Sequence, residues 1–425
     1  MKSNRVVITG LGVIAPNAHG LEAFEAALRT GISGIRHSKL LQELNFVCQL
    51  AGIPQNIDVL KQKYLSSQAL IAMNSSMIFA AIAAIDCWLD AGFKVVDPSS
   101  NITDWDTGAI IGTGVGGSET IGGYVVPLTD QKKVKRLGST MVEQTMSSAS
   151  SANIGGLLGL GGQVTTNSCA CSTGTEAISN AFWAIKAGLA KRILAGATEG
   201  ISQYTWATFD AMRVLARGFN DTPEKGSRPM SATASGFVPG AGAGILMVES
   251  LDSAEARGAK IYAEIIGTHV NCGGQRNGGS ISAPNPFGVV RCIQKSLDMA
   301  NISTRDISLI NGHLTATMAD TLEINNWQTA LNCKPEEFPL INSTKSLIGH
   351  TLGAAGAIEC VASILQLTNG FVHGSINCED IHFKLEPFSG SIVQKTIEID
   401  LNIVAKASFG FGDVNACLIF KRWDK

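Results

Sequence analysis

The sequence predicts an α/β fold built from two related halves. Strand-like runs alternate with helical faces along the whole chain, and no long linker or low-complexity stretch interrupts them. Each half also carries a strand, then a residue suited to chemistry, then a helix of small residues.

The opening run "RVVITGLGV" is apolar and β-branched, and residues 20–30 follow with a helical face. Residues 68–92 are helical and apolar enough to belong inside the molecule. "TGAIIGTG" and "GQVTTNSC" are the next strands. After the second, Ile178, Phe182, Ile185 and Leu189 recur at helical spacing across 174–190. "RILAGATEG" and "GAGILMVES" are strands again. The polar, helical stretch "LDSAEARGAK" then marks a midpoint, dividing the chain into residues 1–255 and 256–425. In the second half "KIYAEIIGTHV", "ISLINGH", "PLINSTKS" and "NACLIF" are strands, with helices at 287–300, 320–331 and 352–368. Cys171 has Gly174 three residues on, and His350 has Gly353. This match predicts two helix starts that face each other.

Composition narrows the function. A chain of 425 residues with 45% hydrophobic and 16% charged content is compact, with a large core. A net charge of -2 offers no electrostatic footprint for nucleic acid or anionic membrane. The N-terminus enters a strand pattern without the apolar region and cleavage site of a signal peptide. The apolar stretches 69–86 and 347–367 carry Asn74, His350 and Glu359, which suits buried helices and not membrane spans. Ten scattered cysteines predict reduced thiols in the cytoplasm. The close pair Cys169 and Cys171 lacks the spaced partners of a zinc site, so no metal is expected. "ITGLGVIA" and "GTGVGG" lack the further glycine or acidic residue of a dinucleotide site and read as tight turns.

Cys171 stands at a helix start, where unpaired N–H groups and the helix dipole favour a thiolate and can hold an oxyanion. Read alone it is more readily a small buried thiol than a catalyst, and for Cys169, on the strand end, the buried thiol is again the better reading. His313 ends a strand, with Thr315 and Thr317 following at alternate positions. His350 precedes a small-residue helix, with Lys345 five residues earlier. Each histidine singly is as much a packing residue as a catalyst. Together with the cysteine and the lysine, all at strand-to-helix junctions, they suggest an activated thiol with neutral imidazoles beside it.

The ordered set "CACSTG", "GHLTAT", "NSTKSLIGHTLGAAGAIE" and "SFGFGDVN" resembles the β-ketoacyl-(acyl-carrier-protein) synthases of the elongating, two-histidine class. "VVITGLGVIAPNAHG" at the start, "RVLARGFNDTP" and "GFVPGAGAG" in the middle and "CLIFKR" at the end match as well, so the resemblance covers essentially the whole chain. It implies the thiolase fold: two βαβαβαββ halves in a five-layer α/β/α/β/α sandwich. It also implies an acyltransferase that joins an acyl-enzyme to malonyl-acyl-carrier protein with loss of CO2, giving 3-oxoacyl-carrier protein in fatty-acid or polyketide elongation. Cys171 would be the nucleophile. His313 and His350 would assist decarboxylation, with Lys345 supporting them and Glu359, Asp320 and Glu323 behind. The N–H groups of Cys171 and Phe409 would form the oxyanion hole. Phe409 would gate the acyl pocket, with Phe411 beside it, Thr315 and Thr317 holding the phosphopantetheine arm and Val115 walling the acyl tunnel. No cofactor is implied beyond the carrier protein's own arm. The partners would be acyl carrier protein and a second subunit, identical or a chain-length-factor homologue.

The chain departs from the family pattern in places. Leu314 replaces a glycine, one residue fewer precedes Asp320 and Glu323, "MSATAS" (230–235) replaces a charged stretch, and Asp413-Val414 replaces Gly-Thr. Joint loss of a charge network need not destabilise, whereas partial loss costs about 3–5 kcal/mol. The set therefore suggests a remodelled site in a specialised polyketide or polyene synthase. Leu314 is expected to narrow the pantetheine groove, and small Val115 to leave room for a long or rigid acyl chain. A degradative thiolase would need a second cysteine in the last glycine-rich loop, and "SFGFGDVN" has none.

Overall fold

The computed structural model describes residues 4–423. Five strands of the first half are β1 (Val6–Ala15), β2 (Thr107–Gly112), β3 (Val164–Thr165), β4 (Arg192–Glu199) and β5 (Gly242–Ser250). They lie side by side in the order β3-β2-β4-β5-β1. The second half supplies β6 (Ala263–Cys272), β7 (Leu309–Asn311), β8 (Leu340–Asn342), β9 (Ile403–Gly410) and β10 (Val414–Arg422), in the order β8-β7-β9-β10-β6. The two orders are the same, third-second-fourth-fifth-first, and in each the fifth strand runs antiparallel to both neighbours. The expected duplication is therefore in the topology. The two sheets are also joined edge to edge, where β1 pairs with β6 through Val7–Glu264 and Ile8–Ala263.

Six helices make the remaining layers: α1 (Ser75–Asp90), α2 (Ala149–Leu158), α3 (Thr173–Lys186), α4 (Pro286–Ala300), α5 (Ala319–Leu331) and α6 (Ala355–Asn369). α1 and α2 cover the outer face of the first sheet; α4 covers that of the second, with α5 against it. α3 and α6 pack on each other and on strands of both halves, giving five layers. Side-chain alternation in the strands explains why both faces are filled. In β5, Leu246 and Val248 join the central core while Ile245 and Met247 join the core under α1. In β10, Leu418 and Phe420 face the centre while Cys417 and Ile419 face α4.

α1 starts later than the periodicity predicts, because Asn74 caps it by accepting from the Met77 N–H at 3.1 Å. α2 was not visible in the apolar pattern: its "ASSANIGGLL" is small and polar, and only one face is buried. "ITGLGVIA" is not a turn. Gly10 and Gly12 lie within β1, where α1 crosses so closely that a Cβ on Gly12 would overlap the Ala83 carbonyl. All ten cysteines are unpaired. Among the described residues no helix is long and apolar enough to cross a membrane.

The two central helices meet by the same device on each side. A single 3₁₀ turn, Ala170–Ser172 or Leu352–Ala354, leads into α3 or α6. Its first residue is left-handed in both, Ala170 at φ 47° and Leu352 at φ 49°. This register makes Gly353 the counterpart of Cys171, and Gly356 the counterpart of Gly174. The expected match of Gly174 with Gly353 is thus three residues out. A Cβ on Gly174 would stand 2.5 Å from the Ala357 nitrogen, and one on Gly356 would overlap the Thr175 hydroxyl. Backbone meets backbone at the crossing, so only glycine fits. Gly174→Val is expected to lower stability by about 1–3 kcal/mol through overpacking, read as a fall in the unfolding midpoint. An unchanged midpoint would contradict this account of the crossing.

Candidate active site

Three chain segments converge on the N-terminal ends of the central helices. The 3₁₀ turn before α3 presents Cys171. The turn after β7 presents His313 at the edge of a short strand, and the loop after β8 presents Lys345 and then His350. His350 Nε2 is 3.1 Å from Cys171 Sγ. Lys345 Nζ is 3.4 Å from His313 Nδ1 and 2.5 Å from Glu359 Oε1. The two imidazoles stand edge to face with centroids 5.4 Å apart. Cys171, Phe409, Phe411, His313, Thr315 and His350 line one cavity of about 290 Å³.

Buried carboxylates fix the loop that carries His313. Glu323 on α5 accepts the N–H groups of His313 at 2.6 Å and Leu314 at 2.7 Å. Asp320 accepts those of Thr315, Ala316 and Met230 at 2.8, 3.1 and 2.9 Å. Burial lifts Asp320 to about 6 and Glu323 to about 7, while the donated N–H groups pull both back. Thr315 and Thr317 bring their hydroxyls within 3.0 Å of each other at the cavity wall.

The electrostatics decide the resting protonation. Burial first, then the charge on Lys345, holds both His313 and His350 well below the usual imidazole range. Both rings are neutral at physiological pH. With Lys345 donating to His313 Nδ1, the ring proton of His313 sits on Nε2. Nδ1 of His350 has no partner among the described residues, so no fixed group locks its tautomer. The thiol differs from expectation. Burial pushes Cys171 up to about 12, against the pull of Lys345, so the helix start does not hold a standing thiolate. Its proton must leave as the reaction begins, and neutral His350 at 3.1 Å is placed to take it.

The sequence matches the family described as "Beta-ketoacyl synthase, N-terminal domain" over residues 3–254 and "Beta-ketoacyl synthase, C-terminal domain" over 262–379. The chain belongs to the β-ketoacyl synthase family. It is 34% identical over 422 residues to 3-oxoacyl-[acyl-carrier-protein] synthase 1 of Haemophilus influenzae, covering 99% of each chain. A solved β-ketoacyl synthase from Burkholderia phymatum superposes with a TM-score of 0.90 at 28% identity, over 99% of this chain and 100% of that one. "The ishigamide ketosynthase/chain length factor" superposes with a TM-score of 0.89 at 27% identity, over 99% and 100%.

Geometry in this synthase corrects several residue assignments. The N–H that reaches Cys171 Sγ is that of Phe411 and not of Phe409. Phe409 lies inside the β9–β10 ladder opposite Asn415, whereas Phe411 lies just beyond the last paired residue, Gly410. A Cβ on Gly410 would stand 3.1 Å from the Cys171 nitrogen, which is how closely this turn approaches the nucleophile. Phe409 does face the cavity, its ring centroid 6.2 Å from that of His313. Val115 does not: it is half exposed and borders a separate small hollow with Glu199 and Leu352. Leu314 does not narrow the groove, because its side chain is buried in the outer core of the second half. Its φ of 21° lies in the range that favours glycine and turns the side chain away from the groove.

The rewritten segments do support the site. Met230 donates to Asp320, and the Gly236 N–H donates to the Ala316 carbonyl at 3.0 Å. Asp413 accepts the N–H groups of Gln275 and Asn285 at 2.8 Å each, fastening the 273–285 loop beside the cavity.

Three contributors were missed from the sequence. Glu199 ends β4 and accepts from the N–H groups of Gly114, Val115 and Gly353, tying "GTGVGG" to the turn before α6. Phe237 packs its ring 5.1 Å from that of His350. Lys406, in the middle of β9, is fully buried with Nζ 3.0 Å from Glu359 Oε2. Glu199 closing a strand in "GATEG" was a legible signal, whereas the lysine in "IVAKASFG" looks in sequence like one at a strand edge.

The raised thiol gives a pH test. Alkylation of Cys171 by iodoacetamide, followed by peptide mass spectrometry, is expected to climb about tenfold per pH unit from pH 6 to 9 without a plateau, because thiolate stays a small fraction below its value near 12. A plateau below pH 8 would show a standing thiolate and contradict this reading.

Proposed function

We propose that the chain condenses an acyl group held on Cys171 with a malonyl unit, both delivered by acyl carrier protein. The observation that carries the proposal is one thiol facing two buried neutral imidazoles across a single cavity. In the first step Cys171 Sγ attacks the acyl thioester and its proton passes to His350 Nε2. The oxyanion accepts from the N–H groups of Cys171 and Phe411, and the departing pantetheine thiol recovers the proton. In the second step the malonyl thioester sheds CO2. The electron pair left behind forms an enolate whose oxygen accepts from the Nε2–H of His313 and, once the unfixed ring proton of His350 has moved from Nδ1 to Nε2, from that of His350 as well. The enolate carbon then attacks the acyl carbonyl, and Cys171 leaves as a thiolate that takes a proton from water, its own having left on the pantetheine thiol. Carbon–carbon bond formation thus needs no strong base.

Thr315 and Thr317 at the cavity wall suit the polar arm of the carrier protein. A second subunit fits the exposed Ile121, Tyr124, Val126, Val142 and Met146 between residues 115 and 146, and its arrival would also cover Val115. The ketosynthase/chain length factor likeness favours a homologous partner as the alternative to a second copy. With its ten free thiols the enzyme belongs in the cytoplasm.

The site also invites a metal reading, since ligating atoms of Cys171, His313 and His350 all lie within 4.8 Å of one another. We favour operation without one, because Lys345 and Lys406 set two ammonium groups against a single Glu359 carboxylate behind this cluster. Such surroundings suit an anion and repel a divalent cation.

Mixing with acyl-carrier protein is expected to add an acyl group that intact mass spectrometry detects on wild type and on Cys169→Ala but not on Cys171→Ala. His313→Ala and His350→Ala are expected to lose about 10²-fold or more in condensation, and less in loading. An adduct on Cys171→Ala, or wild-type condensation in either histidine variant, would sink the assignment.

A further inference from the structure

Lys406 has no place in the reaction as just described. It sits mid-strand in β9, flanked by Ala405 and Ala407, which turn to the outer core of the second half, while its own side chain turns inward. Inside, Nζ donates to the Ala407 carbonyl, lies 3.2 Å from Ser408 Oγ and forms an ion pair with Glu359 Oε2 at 3.0 Å. Ser408 Oγ is in turn 2.8 Å from Thr175 Oγ1 on α3. Glu359 is therefore bracketed, with Lys345 on one oxygen and Lys406 on the other.

A buried ammonium with no local purpose is costly, and one carboxylate cannot neutralise two of them. The groups that share this interior are Glu359, Lys345, His313 and His350, the carboxylate of Glu323 behind His313, and the thiols of Cys360 and Cys417. Glu323 already spends its oxygens on backbone N–H groups. The unbalanced charge is thus cationic and lies behind His313, on the far side from the cavity.

We propose that Lys406 is a positioning residue that, by occupying the second oxygen of Glu359, leaves Lys345 free to donate to His313 and keeps an excess positive charge behind the two imidazoles. That charge opposes protonation of His313 and favours the enolate, whose negative charge exists only during condensation. Acyl loading, in which Cys171 and Phe411 hold the oxyanion and His350 takes up a proton, is hindered at His350 by this charge and not helped by it. The inference rests on the condensing reaction proposed above.

The test uses the full-length enzyme and its Lys406→Met variant, with loading and condensation measured separately from pH 5.5 to 9. Loading is expected to hold or rise, since His350 takes up a proton more readily without Lys406, while condensation at neutral pH falls about tenfold or more. The acid limb of the condensation profile is expected to move to higher pH, because removing a nearby cation lets His313 take up a proton more readily and the working ring is the neutral one. Equal losses in both steps, no loss in either, or an unmoved acid limb would overturn the role. Should Lys406→Met fail to fold, ¹³C-lysine NMR of the wild type decides. Lys345 and Lys406 both charged at pH 7 supports the excess cation, and a neutral Lys406 overturns it. A wild type that neither loads nor condenses would overturn the underlying reaction and the proposal with it.

Discussion

Everything in the site depends on two helices that touch backbone to backbone. α3 carries Cys171 at its start, and α6 carries the turn after His350 and, one turn further in, Glu359. Gly174 against Ala357 and Gly356 against Thr175 bring the helices closer than any side chain would allow. That approach sets the 3.1 Å between thiol and imidazole and puts Glu359 within reach of Lys345 from the neighbouring loop. Duplication supplied the geometry, and the two equivalent turns then diverged. One holds the nucleophile at position 171, while its counterpart holds Gly353, whose N–H is taken by Glu199.

The second constraint is dryness. The histidines and carboxylates are buried and Cys171 is largely shielded, so each departs from its solution behaviour in the direction burial dictates: imidazoles down, thiol up, carboxylates up. A neutral histidine donates a hydrogen bond without surrendering its proton, which is what an enolate requires of its neighbours. A protonated thiol stays unreactive until a thioester and a proton acceptor are both in place. Burial thus serves the chemistry twice.

Much of this was legible in the sequence. The five long helices other than α2 follow from apolar periodicity, because each buries one broad face or is buried outright. Cys171, His313, Lys345, His350 and Glu359 were legible through ordered motifs, and the structure brings them to one place. What was not legible depends on local backbone. Phe409 and Phe411 are alike as sequence, and only the end of the β9–β10 ladder at Gly410 tells which N–H is free to face the thiol. Leu314 resembled an obstruction in the groove because its backbone, at φ 21°, was not known to turn the side chain into the core. The thiolate expectation considered the helix start alone and left out burial, which outweighs it. Lys406 escaped because a lysine in a strand is usually at an edge or on a solvated face, and its carboxylate partner lies 47 residues away in sequence on another layer.

The central claim is that the acyl group sits on Cys171 with its carbonyl oxygen in a hole made by two backbone N–H groups, facing the two histidines. A crystal structure of the acylated enzyme tests it most directly. The account predicts a thioester on Cys171 Sγ, with its oxygen at about 2.7–3.1 Å from the nitrogens of Cys171 and Phe411. An oxygen turned instead toward His313 and His350, or an acyl chain attached to any other residue, would contradict it.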